Sequence, residues 1–159
     1  MNKPRFWCII LLAVSLLFAA FLIGILAESF RNVVSAEEFT TLMEEAGYSV
    51  EERTHPSEQV KTYLLADCGA FYVEFLMHET MADARHTFAQ LRSDLEQLEQ
   101  LWDIVIHAWS SSGFNSWYEQ ITSDGQYARM IRIGSTIIFV STTEENAAHV
   151  ADIMEMLGQ

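Results

Sequence analysis

The chain has 159 residues, with 22 Asp and Glu against nine Lys and Arg, for a formal net charge of −13 with its five histidines neutral. Only Glu28 among the acids, and Lys3 and Arg5 among the bases, precede Phe30, so residues 30–159 keep 21 acids against seven bases. So acidic a surface repels nucleic-acid phosphates and anionic head groups, and the 130 residues after Ser29 suit one domain with a core of its own.

From Phe6 to Ala27 run 22 residues without a charge. At about 1.5 Å of rise each, a helix of that length covers the roughly 30 Å hydrocarbon core of a bilayer. A cleavable signal peptide has a shorter apolar run of about 7–15 residues, so the segment reads as a retained anchor; cleavage after Ser29, favoured by small residues at Ala27 and Ser29, is the alternative and would give a secreted domain. Lys3, Arg5 and the amino terminus precede the span, while Glu28, Arg31, Glu37 and Glu38 follow it. The positive side is therefore the amino-terminal one, which predicts a cytoplasmic stub and anchor over residues 1–29 and a single extracytoplasmic domain over 30–159. Cys8 lies at the start of the apolar stretch rather than its end, which argues against a lipoprotein.

Ser35-Ala36-Glu37-Glu38 reads as a capping box, opening a helix that buries Phe39, Leu42, Met43 and Ala46 and ends at Gly47. Thr54 to Ser57 reads as a loop. From Lys61 to His78 the pattern alternates, with Phe71, Val73, Phe75 and Met77 on one side and Asp67-Cys68-Gly69 as the turn of a hairpin. Thr80 and Asp83 open a second helix, with Met81, Ala84, Phe88, Leu91, Leu95 and Leu98 as its apolar stripe. The stripe continues through Trp102, Val105 and Trp109, so residues 103–110 read either as more helix or as a strand. Their β-branched run favours a helix ending near Leu101 and a strand over Asp103–Ser110. Asp124-Gly125 and Gly134-Ser135 are successive hairpin signals and predict a three-stranded meander. With two-residue loops, Glu119 opposes Met130 and Met130 opposes Phe139, which puts Trp117, Ile121, Met130, Ile137 and Phe139 on one face and Tyr118, Tyr127, Arg129, Ile131, Ile138 and Val140 on the other. Thr142 with Glu145 reads as the cap of a last helix burying Ala147, Val150, Met154 and Leu157.

Such an order predicts an α+β fold, an antiparallel sheet of hairpin plus meander packed against helices, with the helices on one face. Hairpin followed by helix occurs twice, over Lys61–Leu101 and Gln126–Leu157, which hints at a pseudo-repeat. The stretch from Ser110 to Gly158, with its Tyr127…Arg132-Ile133-Gly134-Ser135-Thr136 spacing and closing acidic helix, resembles the carboxy-terminal part of small membrane-anchored extracytoplasmic α+β proteins of Gram-positive bacteria. That resemblance implies an envelope location and a fold, and no activity.

Candidate chemistry is sparse. His78-Glu79 would begin a zinc-protease helix, but Ala82 stands where the second histidine belongs. Glu79, Asp83 and His86 share a helical face that points away from the apolar stripe, as a solvated exterior does, so no metal site is expected. Asp67-Cys68 followed by Phe71 resembles the nucleophile segment of papain-like cell-wall endopeptidases, with His149-Val150 in the place of their histidine. Here, however, Gly69-Ala70 replaces Ser-Gly, and the cysteine falls in a hairpin and the histidine on a helix, the reverse of that family. A Cys68-dependent envelope hydrolase is thus the second reading of function. No glycine-rich phosphate loop, serine elbow or calcium loop is present, and no cofactor is expected. The first reading is a membrane-tethered extracytoplasmic binding or accessory module, held by residues 6–27 and meeting a protein partner in the envelope. Both meander faces are substantially apolar, and Tyr118, Tyr127 and Arg129 are the residue types that partner surfaces favour. The competing expectation is that the amino-terminal helix packs on that face and the domain has three layers.

Overall fold

The computed structural model describes residues 33–99 and 104–159. The expected span over 6–27 and the cleavage point after Ser29 lie outside the described residues, and among those described no helix is long and apolar enough to cross a membrane. Ser35 accepts a hydrogen bond from the Glu38 amide at 3.1 Å and starts α1 (Ala36–Glu45), which buries Phe39 and Met43 completely and leaves Ala46 exposed beyond its end. β1 (Ser49–Arg53) has no alternation to announce it, because Glu51, Glu52 and Arg53 leave only Val50 half-buried. Charges of that kind suit an exposed edge, where they discourage pairing with another chain.

The expected hairpin forms as β2 (Val60–Asp67) and β3 (Tyr72–His78). Asp67 accepts from the Gly69 amide at 2.8 Å, and Gly69 takes φ of 81°, so the tight bend needs a residue without a side chain. Next comes α2 (Met81–Glu99), where the Thr80 hydroxyl accepts from the Asp83 amide at 3.2 Å and donates to its carboxylate at 2.6 Å. Ala84 and Phe88 are buried and Leu91 and Leu95 half-buried, whereas Met81 stays exposed. The change from helix to strand at 100–103 lies outside the described residues; beyond it β4 (Ile104–Ser111) is a strand, one residue later than expected. β5 (Asn115–Thr122), β6 (Gln126–Ile133) and β7 (Thr136–Thr143) complete the sheet.

The last helix departs from expectation at its start. Because β7 extends through Thr143, Thr142 is a strand residue opposite Tyr127 and caps nothing. A single 3-10 turn, Glu144–Asn146, leads into α3 (Ala147–Met156), whose N-cap Asn146 turns its amide back onto Thr142 at 2.9 Å. Val150, Ile153, Met154 and Leu157 are buried.

All seven strands form one antiparallel sheet in the order β1-β2-β3-β7-β6-β5-β4, with β3 and β7 joining the two meanders through Val73 opposite Val140 and Phe75 opposite Ile138. Helices cover both faces rather than one. Phe39 and Met43 of α1 and Val150, Ile153 and Met154 of α3 pack on Val73, Phe75, Ile131, Ile138 and Val140; Ala84 and Phe88 of α2 pack on Leu76, Tyr118, Met130 and Ile137 behind. Central strands such as β7, with Ile137, Ile138, Phe139 and Val140 in a row, are apolar on both sides, so each side needs a cover. The pseudo-repeat fails for the same reason, since α2 and α3 lie on opposite faces.

One register is corrected. The β6–β7 turn has two residues and places Met130 opposite Phe139 as expected. The β5–β6 loop has three, Ser123-Asp124-Gly125, with Gly125 at φ 79°, so Glu119 meets Arg129 and Tyr118 meets Met130. A slip of one residue turns every β5 side chain to the other face. Tyr118 therefore lies under α2, away from Tyr127 and Arg129.

Candidate ligand pocket

Neither tyrosine of the expected partner surface is on the surface. Tyr118 is fully buried and donates to Gln120 Oε1 at 2.6 Å; Tyr127, on the other face, is 2% exposed and donates to Glu119 Oε1 at 2.7 Å. Burial, and then the Glu119 carboxylate, push the Tyr127 phenol up to about 12. Arg129 is half-buried beside it. The three residues serve the two interiors and their border.

Cys68 is half-buried in the β2–β3 bend. Its thiol is pushed up to about 11 by burial and by Asp67, which keeps it protonated and un-nucleophilic at neutral pH. His149 is taken by the Tyr48 hydroxyl at 2.6 Å and lies edge-on to Phe71, tying α3 to the start of β1. Of the remaining candidates, Asp83 serves the α2 cap, and among the described residues no three His, Cys, Asp or Glu side chains come together as a metal set.

What the fold does assemble is a cavity of about 410 Å³ between α2, strands β3 and β7, and the loop that precedes β2. Its apolar wall is Leu76, Phe139 and Leu91. Glu74 stands in the same wall, directly opposite Phe139 in the β3–β7 pairing. His86, Thr87 and Gln90 enter from α2, where positions one turn apart share a side, and His55, Ser57 and Gln59 enter from the loop.

Several of these polar groups are held by neighbours. The Ser57 amide donates to His55 Nδ1 at 3.1 Å, so that ring nitrogen carries a lone pair and the proton resides on Nε2. The ring packs edge-on against Tyr63 at 5.2 Å. Tyr63 in turn donates to Glu74 Oε2 at 2.9 Å, and burial together with that carboxylate pushes its phenol up to about 12. Behind the wall, His78 is 2% exposed; its Nδ1 faces the Ser135 carbonyl at 3.3 Å and its Nε2 the Thr87 hydroxyl at 2.9 Å. A carbonyl only accepts, so Nδ1 carries the proton and Nε2 accepts from Thr87, which fixes the hydroxyl that lines the cavity. Burial lowers the His78 pKa and outweighs the opposing pull of Ser135 and Asp83.

The cavity volume falls within the roughly 300–1,000 Å³ of small-molecule sites, and an apolar wall with a few fixed polar groups is their usual chemistry. In the sequence His78 and His86 stand out only beside metal-ligand patterns, and His55 only as part of the loop over Thr54–Ser57. Glu74 was visible as the polar alternate of β3, but the crossing of α2 over that strand, which makes a pocket of it, has no local signal. No family model matches the sequence, and no curated protein or solved structure matches it either.

Proposed function

We propose that the chain is a binding module, held at a membrane by residues 6–27 with its α+β domain on the extracytoplasmic side, and that it recognises a small ligand in the α2 cavity. The observation that carries the binding half is that cavity of about 410 Å³, in which polar groups are oriented by partners while no nucleophile is activated. The Cys68 hydrolase is disfavoured by a thiol raised to about 11 in a bend that supplies neither a helix terminus nor a cation. The tether rests on the 22 uncharged residues and the basic residues before them.

Two measurements test the halves separately. Mass spectrometry of the purified chain should return the intact amino terminus, and protease added to intact cells should digest the domain; a mature chain starting at Phe30 removes the tether, and protection in intact cells removes the orientation. For the cavity, Gln90→Trp fills it from an exposed helix position and should abolish ligand binding while leaving thermal unfolding within about 1 kcal/mol. Binding that survives the filled cavity places the ligand elsewhere.

A further inference from the structure

The cavity is chemically one-sided. Among the described residues Glu74 is the only carboxylate in its lining, and neither Lys nor Arg lines it. The basic residues around it are committed elsewhere: Arg53, opposite Tyr63, is paired with Glu51; Arg92 is paired with Glu96 and stacked 4.5 Å over the Trp109 ring; Arg85 donates to the Gly113 carbonyl. Glu74 therefore has a neutral donor, Tyr63, on one oxygen and no cationic partner among the described residues. Among the described residues neither histidine of the lining, His55 or His86, forms an ion pair with it. A half-buried carboxylate beside Leu76, Leu91 and Phe139 gains more from a cation than an exposed one does, since screening is weaker there.

From this arrangement, and resting on the cavity being a ligand site, we propose that the ligand is a small organic cation: an amine or guanidine on an apolar, preferably aromatic, body, with Glu74 as its counter-ion. The charged head meets Glu74 with hydrogen-bonding help from Thr87 and Gln90. The body lies along Leu76, Leu91 and Phe139, where the aromatic ring also favours positive charge. The net charge of −13 adds a field that draws cations and turns away anions of the same shape.

The experiment uses the full-length chain in a mild non-ionic detergent and three probes of matched size: phenethylammonium, 2-phenylethanol and 3-phenylpropionate. Calorimetric titration and ligand-observed NMR are run on the native chain and on Glu74→Gln, which keeps an acceptor for Tyr63. The expected result is that the ammonium binds at least about tenfold more tightly than either other probe, and that Glu74→Gln removes this preference without changing the unfolding midpoint. Equal binding of all three overturns the cation assignment and leaves the cavity as a ligand site. A preference that persists in Glu74→Gln also overturns it, because bulk charge or the micelle is then the cause. Binding by none of the three overturns both the assignment and the reading of the cavity on which it rests.

Discussion

Arg132 offers the sharpest test of how this fold is held. Its guanidinium is 1% exposed and donates to four acceptors: the carbonyls of Phe114 at 2.8 Å, Gly134 at 3.1 Å and Ser112 at 3.3 Å, and the Ser116 hydroxyl at 3.0 Å. Among the described residues no acid pairs with it, and both burial and the nearby Arg85 lower its pKa. The side chain thus acts as a forked clamp between the β4–β5 bend and the β6–β7 turn, with carbonyl dipoles in place of a counter-ion. Arg132→Met withdraws its donors from Ser112 and Gly134, at about 1–3 kcal/mol for each carbonyl left dry; Phe114 keeps the Gly134 amide at 3.0 Å. Against this stands the desolvation that the apolar side chain no longer incurs, which is several kcal/mol. The net expectation is a loss of at most about 3 kcal/mol. Arg132→Lys keeps a buried charge but exchanges the planar fork for a compact ammonium, and should lose about 3–5 kcal/mol. Urea unfolding followed by far-ultraviolet circular dichroism should rank wild type above Met and Met above Lys. In a domain of this size about 3 kcal/mol corresponds to roughly 12 °C in Tm. A Lys variant as stable as the Met variant, or more so, refutes the argument that geometry rather than charge is what the site requires.

The β5 register makes neighbouring aromatic residues unequal: Tyr118→Ala should cost about 3–5 kcal/mol and Trp117→Ala, at a side chain 41% exposed, less than about 1 kcal/mol, and the reverse order in denaturant titrations would restore the two-residue loop. On the alkaline side, Cys68 is raised to about 11 and Tyr63 and Tyr127 to about 12, so the folded state resists their ionisation; stability should hold below about pH 9 and fall as pH rises from there through 11 to 12. A tyrosinate absorbance titration in which every phenol of the folded chain ionises near 10 contradicts this. Iodoacetamide should modify Cys68 at pH 8 at least about tenfold more slowly than a cysteine in an unstructured peptide, and equal rates return the thiol to candidacy as a nucleophile. On the acid side, the lowered His78 pKa means that the unfolded chain takes up its proton first, so stability present above the ordinary value of 6.5 is lost as pH falls below it. His78→Gln should flatten the dependence between pH 5 and 7, and an unchanged slope assigns it to other groups.

Where residues decide structure locally, the sequence was readable. Ser35, Thr80 and Asp67 form the cap and turn bonds that their positions suggest, and the alternation of Val73, Phe75 and Met77 names the face that α1 and α3 cover. Failures came where one residue more or less changes the outcome. Asp124-Gly125 fits a two-residue or a three-residue loop equally well, and the choice reverses Tyr118. β1 escaped notice because an edge strand gains its pairing from β2 and carries no apolar alternation of its own. The cavity depends on α2 lying over β3 and β7, a relation between segments up to 60 residues apart, and no window along the chain contains it.

The joint between β3 and β7 has a kinetic consequence. β1 to β3 and β4 to β7 each fold back through short connections, whereas the seam brings residues 73–77 against 136–140, across about half of the described domain. Loop-closure entropy makes such a contact slow to form, since most of the chain between must first be confined. Until it closes, Phe75 and Ile138 face water in two unfinished half-sheets, each with an open edge that matches the other. The domain therefore passes through a sticky interval on its way to the native state, and refolding yield should decline with protein concentration well before native stability does.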